Sequence, residues 1–285
     1  MTLSTVRSLY GSSKPADAWV AYMAALRADT CTAEDHVYGA FAAREIGELQ
    51  NGRRAAEAAI ASRAEGDLLG KARWALGLIC REWGDTHSAI EAFGQLHAEW
   101  HHYPHLQPLL LGAMWYNLGL AHDQRREWAQ SVKCCELAEA EFRAEGMKDY
   151  LRQALQNRAW ALCRLKDAAG ATEALDEAQP LIQTQEAKWQ QVIGRAYAAL
   201  VFGEYRTVLE LARSIPNEGV PVDVQSQVAW IAGRACLATG NVNKAVQLAE
   251  ISLSWGARAH DVRCLQDGSE LRRDCLLVEQ GKTGA

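Results

Sequence analysis

The densest group of chemistry-bearing side chains is the stretch HAEWHHYPH, with His97, Glu99, His101, His102 and His105. His97 and His101 are four apart and can share one helix face. Imidazoles and a carboxylate at that spacing can bind zinc. Neither an HExxH pattern nor a second ligand pair supports such a site. The plainer reading is exposed histidines at a helix end and turn, ahead of Pro104 and Pro108. No metal and no cofactor is assigned. The chain also lacks a GxSxG elbow, a P-loop and a GxGxxG turn. Acids such as Glu136, Glu139 and Glu141 have the spacing of a solvated helix face. A non-enzymatic protein is expected.

The eight cysteines include no CxxC pair. Most lie within apolar helical patterns, where cysteine acts as a small buried hydrophobe. Neighbours such as Cys134 and Cys135 point in different directions on a helix, so they are not expected to bond. The N-terminus, MTLSTVRSLYGSSKPADAW, lacks a signal peptide's apolar core. A reducing, cytoplasmic setting fits.

These groups have to be positioned by helices. Apolar residues recur at three- and four-residue steps, as in Leu155, Trp160, Leu162 and Leu165. Strong helix formers dominate, and short breaks recur at Gly84-Asp85, Pro104, Gly146, Gly203, Pro216 to Pro221 and Gly240-Asn241. No apolar run approaches the roughly 18 residues that span a bilayer. The net charge of −5 and pI near 5.9 argue against a nucleic-acid protein dependent on overall basic charge. Ten tryptophans against four phenylalanines are an unusual excess.

Self-similarity organises the helices. The segment from Trp115 to His122 reads WYNLGLAH, close to a W-x2-L-G-x2-Y opening with histidine in place of tyrosine. Leu76-Gly77 carries part of the same opening, followed by Gly84 at a turn and by Ala89-x3-Phe93. On these motifs the chain resembles the tetratricopeptide-repeat (TPR) family. Aligned copies place a small residue in the first helix at Ala43, Gly77, Gly119, Ala159, Ala196 and Gly233. Twelve residues later the second helix offers Ala55, Ala89, Ser131, Ala171, Val208 and Ala245. Four positions further lie Ala59, Phe93, Cys135, Leu175, Ala212 and Ala249. Successive copies are 34, 42, 40, 37 and 37 residues apart, so longer helices or enlarged turns are expected than in a 34-residue repeat.

The resemblance implies an all-α fold, an α-solenoid of about six TPR-like hairpins over residues 33–256. Residues 1–32 would supply an N-terminal capping helix, with one clear helix at 15–28. Residues 257–285 would supply a charged C-terminal capping helix, with Arg272, Arg273 and Asp274 outward and 281–285 frayed. Such caps keep repeat stacks soluble.

The resemblance also implies a concave groove lined by first helices. Carried over position by position, it yields Phe41, Arg44, Lys71, Trp74, Leu78, Tyr116, Asn117, Leu120, Gln153, Gln156, Asn157, Trp160, Gln190, Tyr197, Gln227, Trp230 and Arg234. An asparagine amide both donates and accepts, so Asn117 and Asn157, at the same repeat position, would form a ladder for a peptide backbone. The aromatics would hold side chains, and Arg44, Lys71 and Arg234 would meet carboxylates. Read without a ligand, tryptophans at helical spacing are core and the asparagines satisfy neighbouring helices.

Capture of a protein or peptide segment is the expected function. A second reading resembles the peptide-receiving helical domains of bacterial quorum-sensing regulators. With about 32 residues before the first repeat, a DNA-binding domain is not expected, so such a sensor would act through another protein. A third reading uses the His97–His105 cluster for metal. Neither direct nucleic-acid binding nor membrane insertion is expected, and self-association through an uncovered groove or cap is a further expectation.

Overall fold

The protein was analysed as a computed structural model. It describes residues 4–62, 64–106, 108–216, 218–259 and 262–281. The described residues form helices and turns, with no strand among them. No helix among them is long and apolar enough to cross a membrane. Two compact units emerge, Met1–Arg126 and Glu127–Ala285.

The first unit contains α1 (Thr5–Gly11), α2 (Pro15–Arg27), α3 (Ala33–Glu45), α4 (Leu49–Ala61), α5 (Gly66–Trp83), α6 (Thr86–Ala98) and α7 (Pro108–Gln124). Each helix packs on its successor, and α1, α3, α5 and α7 also meet in turn, forming one layer backed by α2, α4 and α6. The second unit contains α8 (Trp128–Ala144), α9 (Lys148–Arg164), α10 (Ala168–Ala178), α11 (Gln185–Val201), α12 (Tyr205–Ser214), α13 (Val222–Ala238), α14 (Val242–Ala259) and α15 (Val262–Glu279). There α9, α11, α13 and α15 form the first layer.

Local chemistry sets the helix ends. Thr32 Oγ1 accepts from the Asp35 backbone N–H, and the Asp35 carboxylate accepts from the Thr32 N–H, a reciprocal cap at the start of α3. Asp85, Asp167 and Thr184 cap α6, α10 and α11 through N–H groups three residues on. Gly84 ends α5 at φ 86°, where a side chain would be strained.

Hairpin packing follows the aligned small residues. Ala43, Ala159 and Ala196 are at most 3% exposed, and Gly77, Gly119 and Gly233 are buried. All six second-helix positions are buried too, including Val208. A Cβ on Gly77 would lie 2.4 Å from the Phe93 ring, so glycine is what lets α5 approach α6. The long repeat spacings have two sources. Helices α7, α8, α9, α11 and α13 each run 17 residues. Between α6 and α7 a short 3-10 turn, Trp100–His102, is inserted.

Three expectations are corrected. Residues 4–32 hold two helices rather than one: Ser4 caps α1, which buries Val6. The last helix does more than cap, because Leu271 and Cys275 are fully buried and Asp274 turns inward to Arg234 at 2.5 Å. Glu139, read as solvated, is 2% exposed beside Arg158 at 2.9 Å and Arg143 at 3.3 Å. Residues 282–285 of the expected frayed tail lie outside the described residues.

Candidate functional site

The site is clearest in the second unit. Gln156, Asn157 and Trp160 from α9, Gln190 from α11, Gln227 from α13, and Cys264 and Asp267 from α15 line one pocket of about 90 Å³. Helical spacing brings the α9 residues to one face, since 156, 157 and 160 fall within about one turn. Four carboxamides therefore surround the space, with Trp160 as its apolar surface and Asp267 as its acid. Asn157 is half-buried and lines the pocket.

Beneath the amides the pocket is rigidly supported. Arg152 Nη1 donates to Gln156 Oε1 at 2.6 Å, and Gln156 Nε2 donates to Gln191 Oε1 at 3.1 Å. Gln191 Nε2 then donates to the Leu175 carbonyl at 2.6 Å. Such a chain of satisfied buried amides holds Gln156 in one orientation. Next to it Trp160 stacks on Tyr197 at 4.0 Å between centroids, and Tyr197 stacks on Trp230 at 5.7 Å.

In the first unit the first-layer face is aromatic. Tyr10 on α1 stacks on Phe41 of α3 at 5.8 Å and lies equally close to Tyr38. Lys71 on α5 lies 5.8 Å over the Tyr38 ring, with Nζ 3.4 Å from the Tyr38 hydroxyl. Lys71 has no carboxylate partner among the described residues. Tyr10 donates to Glu45 at 2.5 Å, and burial, reinforced by that carboxylate, pushes the Tyr10 phenol up.

The expected site residues divide accordingly. Asn157, Trp160 and Gln156 meet at the pocket. Tyr197 and Trp230 are 1% and 6% exposed, so they support Trp160 from the core and present little face outward. Arg44 does meet a carboxylate, but it is Glu82 of α5, with Nη2 at 2.6 Å. Arg234 is likewise paired with Asp274. Trp74 packs on Phe93 at 5.6 Å. Tyr116 is half-buried on α7. The Asn117 amide turns away from a backbone ladder: its Nδ2 donates to the Ala113 carbonyl of its own helix at 2.8 Å.

Four participants were missed. Asp267 and Cys264 belong to a helix read only as a cap. Tyr10 lies on the unexpected α1. Tyr38 could have been found, because Tyr38, Phe41 and Glu45 form an i, i+3, i+7 stripe.

The histidine stretch does not assemble a metal centre. Among the described residues no three His, Cys, Asp or Glu side chains converge in a way that could hold a metal ion. Glu99 instead pairs with Arg73 and accepts from Tyr103 at 2.9 Å; the Arg73 bond foremost holds its carboxyl below the usual range. His97 packs on Trp115 at 4.4 Å, and His101 lies against His102 at 3.9 Å. Tyr103 and Leu106 fold the insertion down onto Gly70 of α5.

No known family profile matches the sequence, and no curated protein does. Solved structures do. The chain is similar to a tetratricopeptide repeat protein from Parabacteroides merdae, with TM-score 0.69, 14% identity and coverage of 94% of this chain and 96% of that one. It is similar to the apo form of RapI, with TM-score 0.69, 12% identity and coverage of 90% and 95%. A Rap protein solved with competence and sporulation factor matches with TM-score 0.54, 12% identity and coverage of 97% and 73%. At these identities the likeness concerns the fold, and it agrees with the repeat read from Trp115 to His122 and from Leu76 to Phe93: the chain is a TPR-like α-solenoid.

Proposed function

We propose that the chain is a non-enzymatic binding module that captures an extended segment of a protein or peptide on its first-layer helices. The observation that carries this is the amide-lined pocket of Asn157, Gln156, Gln190 and Gln227 beside Trp160. Carboxamides pair with both the N–H and C=O of a backbone, while the indole face covers one side chain. Repeat stacks commonly present such surfaces, and a Rap protein of similar fold was solved with a bound factor. The eight free cysteines suit a reducing, cytoplasmic setting.

Peptides selected by display on the full chain test this reading. Asn157→Ala and Gln227→Ala should each weaken a selected peptide by about 1–3 kcal/mol in calorimetry, without changing the melting temperature. Unchanged affinity in both variants would remove the pocket from the function. A regulatory sensor acting through another protein is a second reading, favoured by the fold's similarity to 95% of RapI. It requires the captured peptide to alter binding of a second protein, which the same selected peptide can test by competition.

A further inference from the structure

A second, larger concavity of the second unit lies in the other layer, away from the amide pocket. It measures about 950 Å³ and runs between α12 and α14 over α13. Its floor is Val228, Ala229, Ala232 and Cys236, and its far wall is Leu248, Ile251 and Trp255. The cause is a mismatch of lengths. Helix α12 has 10 residues and α14 has 18. At 1.5 Å per residue α12 stops about 12 Å short of its neighbour. Ile251 and Trp255, on the later turns of α14, are left beside the groove, and Ile251 is 43% exposed. The alignment marks the same place. Ala212 sits where the other five copies bury a residue, yet it is half-exposed and lines the groove.

Charge distinguishes this groove from the rest of the molecule. The chain carries −5 overall, but the groove lining has two cations and no carboxylate. Arg213 lies on the α12 wall and Lys244 on the α14 wall, both exposed. Neither has an ion-pair partner among the described residues, whereas Arg206 on the same α12 is paired with Glu210 at 2.9 Å. Burial pushes the Cys236 thiol on the floor up, and Lys244 and Arg213 both act against that shift, so their fields converge on the floor. A third cation, Arg258, lies 4.2 Å over the Trp255 ring.

We infer that this groove is a second docking surface that takes an amphipathic helix from a partner protein, apolar face inward and acidic residues along its edges. A helix suits the space because the groove lies in a layer of helices, where α12 ends early. Roughly two to three turns would match the missing length. The apolar side chains would cover Ile251 and Trp255, and the edge carboxylates would meet Arg213 and Lys244.

Two dye-labelled amphipathic helices of roughly 14 residues test this, with identical leucines at i, i+3, i+4 and i+7 and edges of glutamate in one and lysine in the other. Fluorescence anisotropy with the full chain should show saturable binding of the glutamate probe, at least about tenfold tighter than the lysine probe. The double variant R213E/K244E changes only exposed side chains and should reverse that preference, with an unchanged circular-dichroism melt. The variant N157A should bind the glutamate probe as the parent does, which separates this groove from the amide pocket. The inference is overturned if neither probe saturates, if both bind equally, or if R213E/K244E leaves the preference intact. It is also overturned if N157A abolishes binding, or if only vesicles of phosphatidylglycerol bind in an Arg213- and Lys244-dependent way.

Discussion

Trp160 and Tyr197 lie face to face, their ring centroids 4.0 Å apart and their planes inclined by 11°. One ring borders the pocket and the other is 1% exposed. The stack divides two roles between two aromatics, and substitution should separate them. Tyr197→Ala should cost about 3–5 kcal/mol of stability in urea denaturation, by analogy with other large aromatic truncations. Trp160→Ala should cost less stability and should weaken a selected peptide. Equal stability losses without an affinity change would show that Trp160 is core alone.

Gly77 lets α5 lie close against Phe93 of α6. Because an added Cβ would fall 2.4 Å from the Phe93 ring, Gly77→Ala should destabilise by about 1–3 kcal/mol in the same assay. The double variant G77A/F93L should recover part of that loss. A neutral G77A would mean that α5 and α6 can separate freely.

Glu139 gives the chain a pH dependence. Burial, against the opposing pull of Arg158 and Arg143, pushes its carboxyl up to about 7. A folded-state value above the ordinary 4.5 means that the native protein holds this proton more tightly than the unfolded chain does. The resulting stabilisation is complete below about pH 4.5 and is lost as pH rises through about 7. Glu139→Gln should remove this contribution, on the order of 3 kcal/mol between those limits. Urea midpoints measured across that range, parent against variant, provide the check. An identical slope in both would assign the dependence to other groups.

Thiol labelling provides an independent check on the core. Cys31 is half-buried and the other seven cysteines are buried. An aromatic disulfide reagent should therefore modify Cys31 first, and the rest at the rate of opening. Burial raises the Cys31 thiol as well, so its reaction should speed up above pH 9. Rapid labelling of several thiols in the native protein would contradict the packing.

The repeat was legible because it is a packing constraint. Small residues at the crossings leave the same trace in nearly every copy, Val208 excepted, so Ala43, Gly77 and Ala245 could be placed from spacing alone. Side-chain partners were less legible. Position gives a helix face, but it does not decide whether Asn117 reaches outward or bonds its own Ala113 carbonyl. Nor does it say that Arg44 finds Glu82 on the next first-layer helix, or that Arg234 finds Asp274 forty residues away. Those outcomes depend on tertiary neighbours. Asp267 was hidden because the regular repeat ends before it, and the α12–α14 groove because it arises from a difference in helix length.

The last helix has a double attachment. Along one face, α15 buries Leu271 and Cys275 against the core and, one to three turns earlier, offers Asp267 and Cys264 to the pocket. An occupant of that pocket would touch α9, α11, α13 and α15 together, so its free energy of binding would add to whatever already docks the final helix. Retention of amide protons in α15 then becomes a gauge of occupancy that needs no label and no knowledge of what is bound. Helix α15 would report on a site whose other walls reach back more than a hundred residues, from Asp267 to Gln156.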